Sequence, residues 1–260
     1  MLKVTRSQHV LEVSFEGRRD GNLMTWDLLR ELRDFALDHH DDTQTRAIVL
    51  AGKDRTFTSG FDLETGVQAF VEAASLSELR ALNRLGSQMC EAWERLPCFT
   101  VAAIEGFCVG GGAALVLACD ARVAGAGGRF YIPEILRGMN LGWGAVPRLV
   151  NLVGPGRAKQ MCILPRPLGA RTAHRWGLVE RIVPEGEAMA AAREMAAEAA
   201  GKPPIAVQMI KRSIDAYANA LAGLGSFADG DQMLLLTKSA DFGEGVASFM
   251  NRRPGTFTGR

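Results

Sequence analysis

The sequence predicts an α/β protein in which βαβ units build a largely parallel sheet and an all-helical region follows. Three observations carry this. Short apolar runs at 47–51 and 100–109 each end in small residues and lead into a helical segment. Strand and helix patterns alternate through the first half of the chain, as parallel βαβ units require. Beyond Gly127 the pattern turns helical, and the last stretch, 196–260, reads as helices alone.

The elements follow in order. Residues 9–15 (His-Val-Leu-Glu-Val-Ser-Phe) alternate in polarity and predict a strand. Thr25 is placed to cap a helix over 26–39, whose Leu28, Leu29, Leu32, Phe35 and Ala36 share one side. Residues 47–50 form a short buried strand. The segment 65–74 reads as a loop with some helix. Residues 76–96 predict a long amphipathic helix stopped by Pro97. A strand at 100–104, a helix at 112–119 and a strand at 120–124 follow. Helices are then expected at 145–152, 156–163, 170–176, 188–200, 205–222, 227–237 and 241–250, with Pro203 and Pro204 opening the fifth.

Composition narrows the function. The 260 residues are 47% hydrophobic and 23% charged, enough for a large core. A net charge of +1 gives no electrostatic case for nucleic acid or a membrane surface. No apolar run reaches the ~18–20 residues of a membrane span, and the first residues carry no secretory or transit pattern, so a cytoplasmic protein is expected. Five cysteines (Cys90, Cys98, Cys108, Cys119, Cys162) form no Cys-x-x-Cys pair and sit in apolar surroundings. Buried free thiols are expected, and no metal site. His39-His40-Asp41-Asp42 falls at a helix end and is expected to face solvent.

Two short stretches carry the chemistry. One is Phe57-Thr58-Ser59-Gly60-Phe61-Asp62-Leu63; the other is Gly110-Gly111-Gly112. Each reads as a strand passing through a small-residue turn into a helix. Such turns leave backbone N–H groups without intrahelical partners, and these can bind an anion. Two of them facing one cavity would form an oxyanion hole for an enolate or tetrahedral intermediate. Competing readings fit less well. Ser59 lacks a Gly-x-Ser-x-Gly elbow and a neighbouring His, so it is not expected to be a nucleophile. Gly110–Gly112 lacks the patterns of nucleotide-binding glycine loops. Asp62 either binds amides of its own turn or touches ligand. Trp143 lines a pocket or packs in the core; Met139, Phe70 and Leu141 are further pocket candidates.

These residues resemble the crotonase, or enoyl-CoA hydratase/isomerase, family. The resemblance runs through 46–63, 101–124, 132–138, Gly154-Pro155-Gly156-Arg157-Ala158, 173–183 and 239–245. It implies a crotonase-like spiral of βαβ units over 1–195 and a helical trimerisation domain over 196–260, assembled as a homotrimer or dimer of trimers. It implies an acyl-CoA thioester substrate, with coenzyme A as part of the substrate and no separate cofactor. Carried onto this chain, the oxyanion donors are Ser59 N–H and Gly111 N–H, with Gly60, Phe61 and Asp62 beside the substrate. Arg18 or Arg19 would contact the CoA phosphates, as a guanidinium suits phosphate, or be a solvated loop pair. Glu134, in Ile132-Pro133-Glu134-Ile135, aligns with a family catalytic base.

One departure separates the possible reactions. Hydratases of the family typically carry a second glutamate where this chain has Ala114, and dienoyl-CoA isomerases place an aspartate where it has Gly142. Two carboxylates hold and split water across a double bond; one suffices to move a proton between carbons. The resemblance therefore points to enoyl-CoA double-bond isomerisation. The alternatives are a hydratase, lyase or hydrolase of the same fold, and a catalytically weak homologue that binds acyl-CoA or a partner.

Overall fold

The computed structural model describes residues 1–19, 21–72 and 75–260. Its elements are β1 (Leu2–Ser7), β2 (Val10–Phe15), α1 (Trp26–Asp38), β3 (Ala47–Gly52), α2 (Leu63–Glu72), α3 (Leu76–Glu94), β4 (Phe99–Ile104) and β5 (Phe107–Val109). Next come α4 (Gly111–Leu117), β6 (Ala121–Gly125), β7 (Arg129–Tyr131), a 3₁₀ turn (Glu134–Arg137), α5 (Ala145–Val153) and α6 (Pro155–Ile163). Then follow β8 (Leu168–Gly169), α7 (Ala170–Trp176), β9 (Arg181–Val183), α8 (Ala188–Ala200), α9 (Pro204–Ala218), α10 (Ala222–Ser226), α11 (Asp229–Leu236) and α12 (Ala240–Met250).

The main sheet has the order β1-β2-β3-β4-β6-β9. Only β1 runs antiparallel to its neighbour; the other pairings are parallel, with Val13 opposite Leu50 and Leu50 opposite Ala102. A second, small sheet joins β5, β7 and β8. Parallel strands need cover on both faces, and alternation along β3 and β4 supplies two different faces. Ile48, Leu50, Ala102 and Ile104 point into the larger core under α1, α3 and α4. Ala47, Val49, Ala51, Val101 and Ala103 point the other way, against α8. Ala188, Ala191, Ala192, Ala196 and Ala200 make that helix face smooth, which lets it lie close to small strand residues.

Local signals set the helices. Thr25 accepts from Leu28 N–H and starts α1; Ser75 accepts from Glu78 N–H and starts α3. Trp93 is fully buried and donates its indole N–H to Leu32 O, tying α3 to α1. The segment 65–74, expected as a loop with some helix, is helix α2 where described, with the Asp62 carboxylate accepting from Glu64 N–H at its start; residues 73 and 74 and the Phe70 side chain lie outside the described residues. The helix expected over 205–222 breaks instead, with Asn219 ending α9 and α10 starting at Ala222. Four cysteines are buried and Cys162 is partly so, and all five are free thiols. Burial pushes the Cys90, Cys98 and Cys119 thiols up to about 12. Among the described residues no helix is long and apolar enough to cross a membrane.

The C-terminal helices do not all stand apart from the sheet. Asn83 of α3 donates to Gly230 O of α11. A Cβ on Gly245 of α12 would fall 2.5 Å from the backbone of Arg137, so α12 lies directly on the 3₁₀ turn.

Candidate active site

Backbone pairing brings the two glycine turns together. Thr58 N–H donates to Phe107 O, and Val109 N–H donates to Thr58 O, which lays the first turn along β5. Gly60, at φ +101°, sits where a Cβ would lie 3.3 Å from Val109 O. Glycine is needed there for both conformation and approach. Gly110 follows β5 at φ +52° and leads into α4.

In the first turn the donors are consumed one by one. Ser59 N–H donates to Gly21 O at 2.8 Å. Gly60 N–H donates to Thr58 Oγ1 at 3.0 Å. Asp62 N–H donates to Met24 O at 2.8 Å. Among the described residues Phe61 N–H has no acceptor, and Phe61 lines the adjacent cavity. The expectation that Ser59 N–H is the open donor therefore needs correction. Gly21, brought alongside by the loop after β2, takes that N–H, and the open one lies two residues on. Ser59 itself is exposed.

In the second turn Gly110 N–H donates to Tyr131 O. Gly111 is the first residue of α4, so its N–H has no intrahelical acceptor, and it too lines the cavity. The start of α4 adds the positive end of its helix dipole.

Glu134 enters from the 3₁₀ turn, which Gly138 ends in a left-handed conformation at φ +62°. Its Oε1 occupies the space over Gly110: a Cβ on that glycine would lie 2.6 Å away. Its Oε2 is sealed from solvent and, among the described residues, has no hydrogen-bond partner. Desolvation pushes the carboxyl up to about 7, against the opposing pull of its own backbone and of Arg137. A carboxylate with that affinity can take up and release a proton near neutrality.

The cavity has a volume of about 650 Å³. Trp143 shapes it. This residue holds φ +60°, and its indole lies against both Gly86 of α3 and Gly111 of α4, where Cβ atoms would come within 2.0 and 2.4 Å. Arg148, paired with Glu94 at 2.7 Å, donates to Trp143 O and fixes the backbone. Phe61 meets Trp143 edge-on at 6.2 Å and Trp26 at 4.6 Å. Met139 and Leu141 also line the cavity, and Ala114 presents a methyl group in the wall.

The remaining candidates divide. Asp62 is 2% exposed and is not part of the cavity wall. Burial raises its carboxyl, but hydrogen bonds from Arg18 and Thr65 outweigh this and hold it below the usual range. Arg18 lies 2.6 Å from Asp62, and Arg19 pairs with Glu64. The guanidinium groups therefore face acids of the first turn and of the start of α2. Asp229 and Asn140 line the cavity without having been anticipated. Asp229 lies 95 positions beyond Glu134, in a helical stretch whose pattern carries no motif.

Comparison with known proteins identifies the family. The Enoyl-CoA hydratase/isomerase family model matches residues 5–260. The chain is 29% identical to the Crotonyl-CoA hydratase of Syntrophomonas wolfei, over 91% of this chain and 89% of the relative. It is 29% identical to the 2,3-dehydroadipyl-CoA hydratase of Escherichia coli, over 100% and 99%. An enoyl-CoA hydratase structure from Mycobacterium avium subsp. paratuberculosis superposes with a TM-score of 0.88 at 27% identity, covering 99% of this chain and 98% of that one. The fold is that of the crotonase superfamily, and the chain belongs to the enoyl-CoA hydratase/isomerase family.

Proposed function

We propose that this protein moves the double bond of an enoyl-CoA thioester. In this reading Phe61 N–H and Gly111 N–H hold the thioester oxygen, and Glu134 carries the proton. The observation behind it is the cavity lining: Ala114 brings no acid to it, and Glu134 is its desolvated carboxyl. Glu134 takes a C2 proton from a 3-enoyl-CoA. Negative charge collects on the thioester oxygen, where two preorganised donors stabilise it. The same carboxyl then returns the proton at C4.

The names of the relatives favour a second reading, hydration of a 2-enoyl-CoA. Water must then be held as well as split, and among the described residues Asp229 is the other carboxylate of the cavity. Purified protein supplied with 3-enoyl-CoA and, separately, crotonyl-CoA decides between them. Isomerisation that outpaces hydration, and that Glu134→Gln abolishes, is the expected result. Rapid hydration without isomerisation overturns the first reading in favour of the second. Binding of acyl-CoA without turnover of either substrate removes both and leaves a binding homologue.

The proposed assembly is a homotrimer or dimer of trimers through residues 196–260. Ile205, Met209, Ile210, Ile214 and Tyr217 support it by leaving α9 with an exposed apolar face. A monomer in analytical ultracentrifugation would refute it.

A further inference from the structure

Two cavities meet at one side chain. Beside the active-site cavity lies a second, of about 1080 Å³, between α3, α5, α9 and α10. Trp143, Asn83, Ser87 and Gly230 line both. Asn83 is held in place: its Nδ2 donates to Gly230 O at 2.7 Å and ties α3 to α11. Ser87 is small. The indole of Trp143 is the large group of the four, and it stands where the two spaces meet.

Keeping a ring there is costly. Gly86 lies inside α3, where glycine is unfavourable, and a Cβ on it would fall 2.0 Å from the indole. Trp143 itself holds φ +60°, a conformation that bulky residues rarely adopt. The backbone is clamped on both sides of the ring. Arg148 donates to Trp143 O at 3.0 Å, and Asp229 Oδ2 accepts Gly144 N–H at 3.0 Å. Strain that the surroundings hold in place clusters at ligand-binding positions.

The ring also stands on the acyl side of the site. Gly110 and Gly111 are consecutive in the second turn; the Glu134 carboxyl lies over the former and the indole over the latter. In the reading above Gly111 donates to the thioester oxygen, and Glu134 reaches the carbons beyond the carbonyl. The acyl group therefore leaves the carbonyl between the carboxyl and the indole, and its width is limited there.

We propose that Trp143 is the specificity-determining residue of the acyl site: its indole closes the site toward the second cavity, so that the enzyme takes slender acyl groups and rejects those with a ring on the carbon next to the carbonyl. This rests on the acyl-CoA reading above. The selection is steric, because overfilling a packed wall costs more than the added apolar contact returns. Without the indole, the active-site cavity opens past Ser87 into the second one, and the ring gains room.

Isothermal titration with coenzyme A, butanoyl-CoA and cyclohexanecarbonyl-CoA tests this without turnover, since neither thioester has a double bond to move or hydrate. The wild type is expected to bind butanoyl-CoA tighter than cyclohexanecarbonyl-CoA by about tenfold or more. Trp143→Gly, which suits φ +60°, is expected to abolish or reverse that preference while keeping the affinity for coenzyme A within about twofold. Trp143→Phe keeps a smaller ring in the wall and is expected to fall between; if Trp143→Gly does not fold, the ratio in Trp143→Phe decides. Equal wild-type affinities for the two thioesters overturn the proposal and leave the acyl-CoA reading intact. A preference that the variants do not move also overturns it. So does an equal loss of affinity for coenzyme A and both thioesters, which marks the indole as structural packing. Failure of the wild type to bind either thioester overturns the acyl-CoA reading itself.

Discussion

The turn at Ser59–Asp62 and the turn at Gly110–Gly112 present one open N–H each, but by opposite means. At Gly111 the donor is open because the first residues of any helix lack intrahelical acceptors. At Phe61 it is open by elimination, since Gly21 O, Thr58 Oγ1 and Met24 O have taken the N–H groups around it. The neighbouring acids differ in the same way. Asp62 is locked to Arg18 and held low, whereas Glu134 has one oxygen without a partner and is pushed up to about 7. An ion-paired carboxylate is spent on structure; a desolvated and unpaired one keeps its proton chemistry.

The largest expected effect comes from the second turn. Gly110→Ala would place a Cβ 2.6 Å from Glu134 Oε1 and strain a φ of +52°. It should lower kcat/KM by about a thousandfold, comparable to losing an oxyanion donor. A variant within tenfold of wild type would show that Glu134 and this turn are not coupled.

The contrast between the two acids sets the pH dependence. As a base, Glu134 must be ionised, so kcat/KM should rise about tenfold per pH unit up to about 7 and level above it. Stability runs the other way. The unfolded carboxyl titrates near 4.5, so between 4.5 and about 7 the folded state binds the extra proton and loses stability as pH rises. Glu134→Gln removes this penalty. It should stabilise the protein by about 3 kcal/mol at pH 8 or so, with the gain vanishing below the unfolded value. Denaturant melts at the two pH extremes measure it, and a pH-independent difference would contradict the raised carboxyl.

The smallest effect sharpens the first turn. Ser59→Ala keeps the N–H bond to Gly21 and removes an exposed hydroxyl. It should leave kcat/KM within about twofold. A hundredfold loss would return Ser59 to the chemistry.

What the sequence reveals follows the same division. The parallel sheet is legible because β3 and β4 are buried on both faces and read as apolar runs. The helix starts at Thr25 and Ser75 are legible from their caps or their periodicity. Strands β7, β8 and β9 are two or three residues long, too short for a period, and β1 is an exposed edge. Glu134 and Gly111 stand in local motifs. The displacement from Ser59 to Phe61 is not local: it depends on Gly21, 38 positions earlier. Asn140 and Asp229 meet only when α11 returns across the loop after the 3₁₀ turn.

The distribution of sulfur has a practical corollary. Four of the five thiols are sealed in apolar packing, which leaves Cys162, on α6, as the position a thiol reagent meets first. Burial, and after it the charge on Glu134, pushes its thiol up to about 11. A fluorophore or a fluorine-bearing tag is therefore directed to α6, with no engineered cysteine and no removal of native ones.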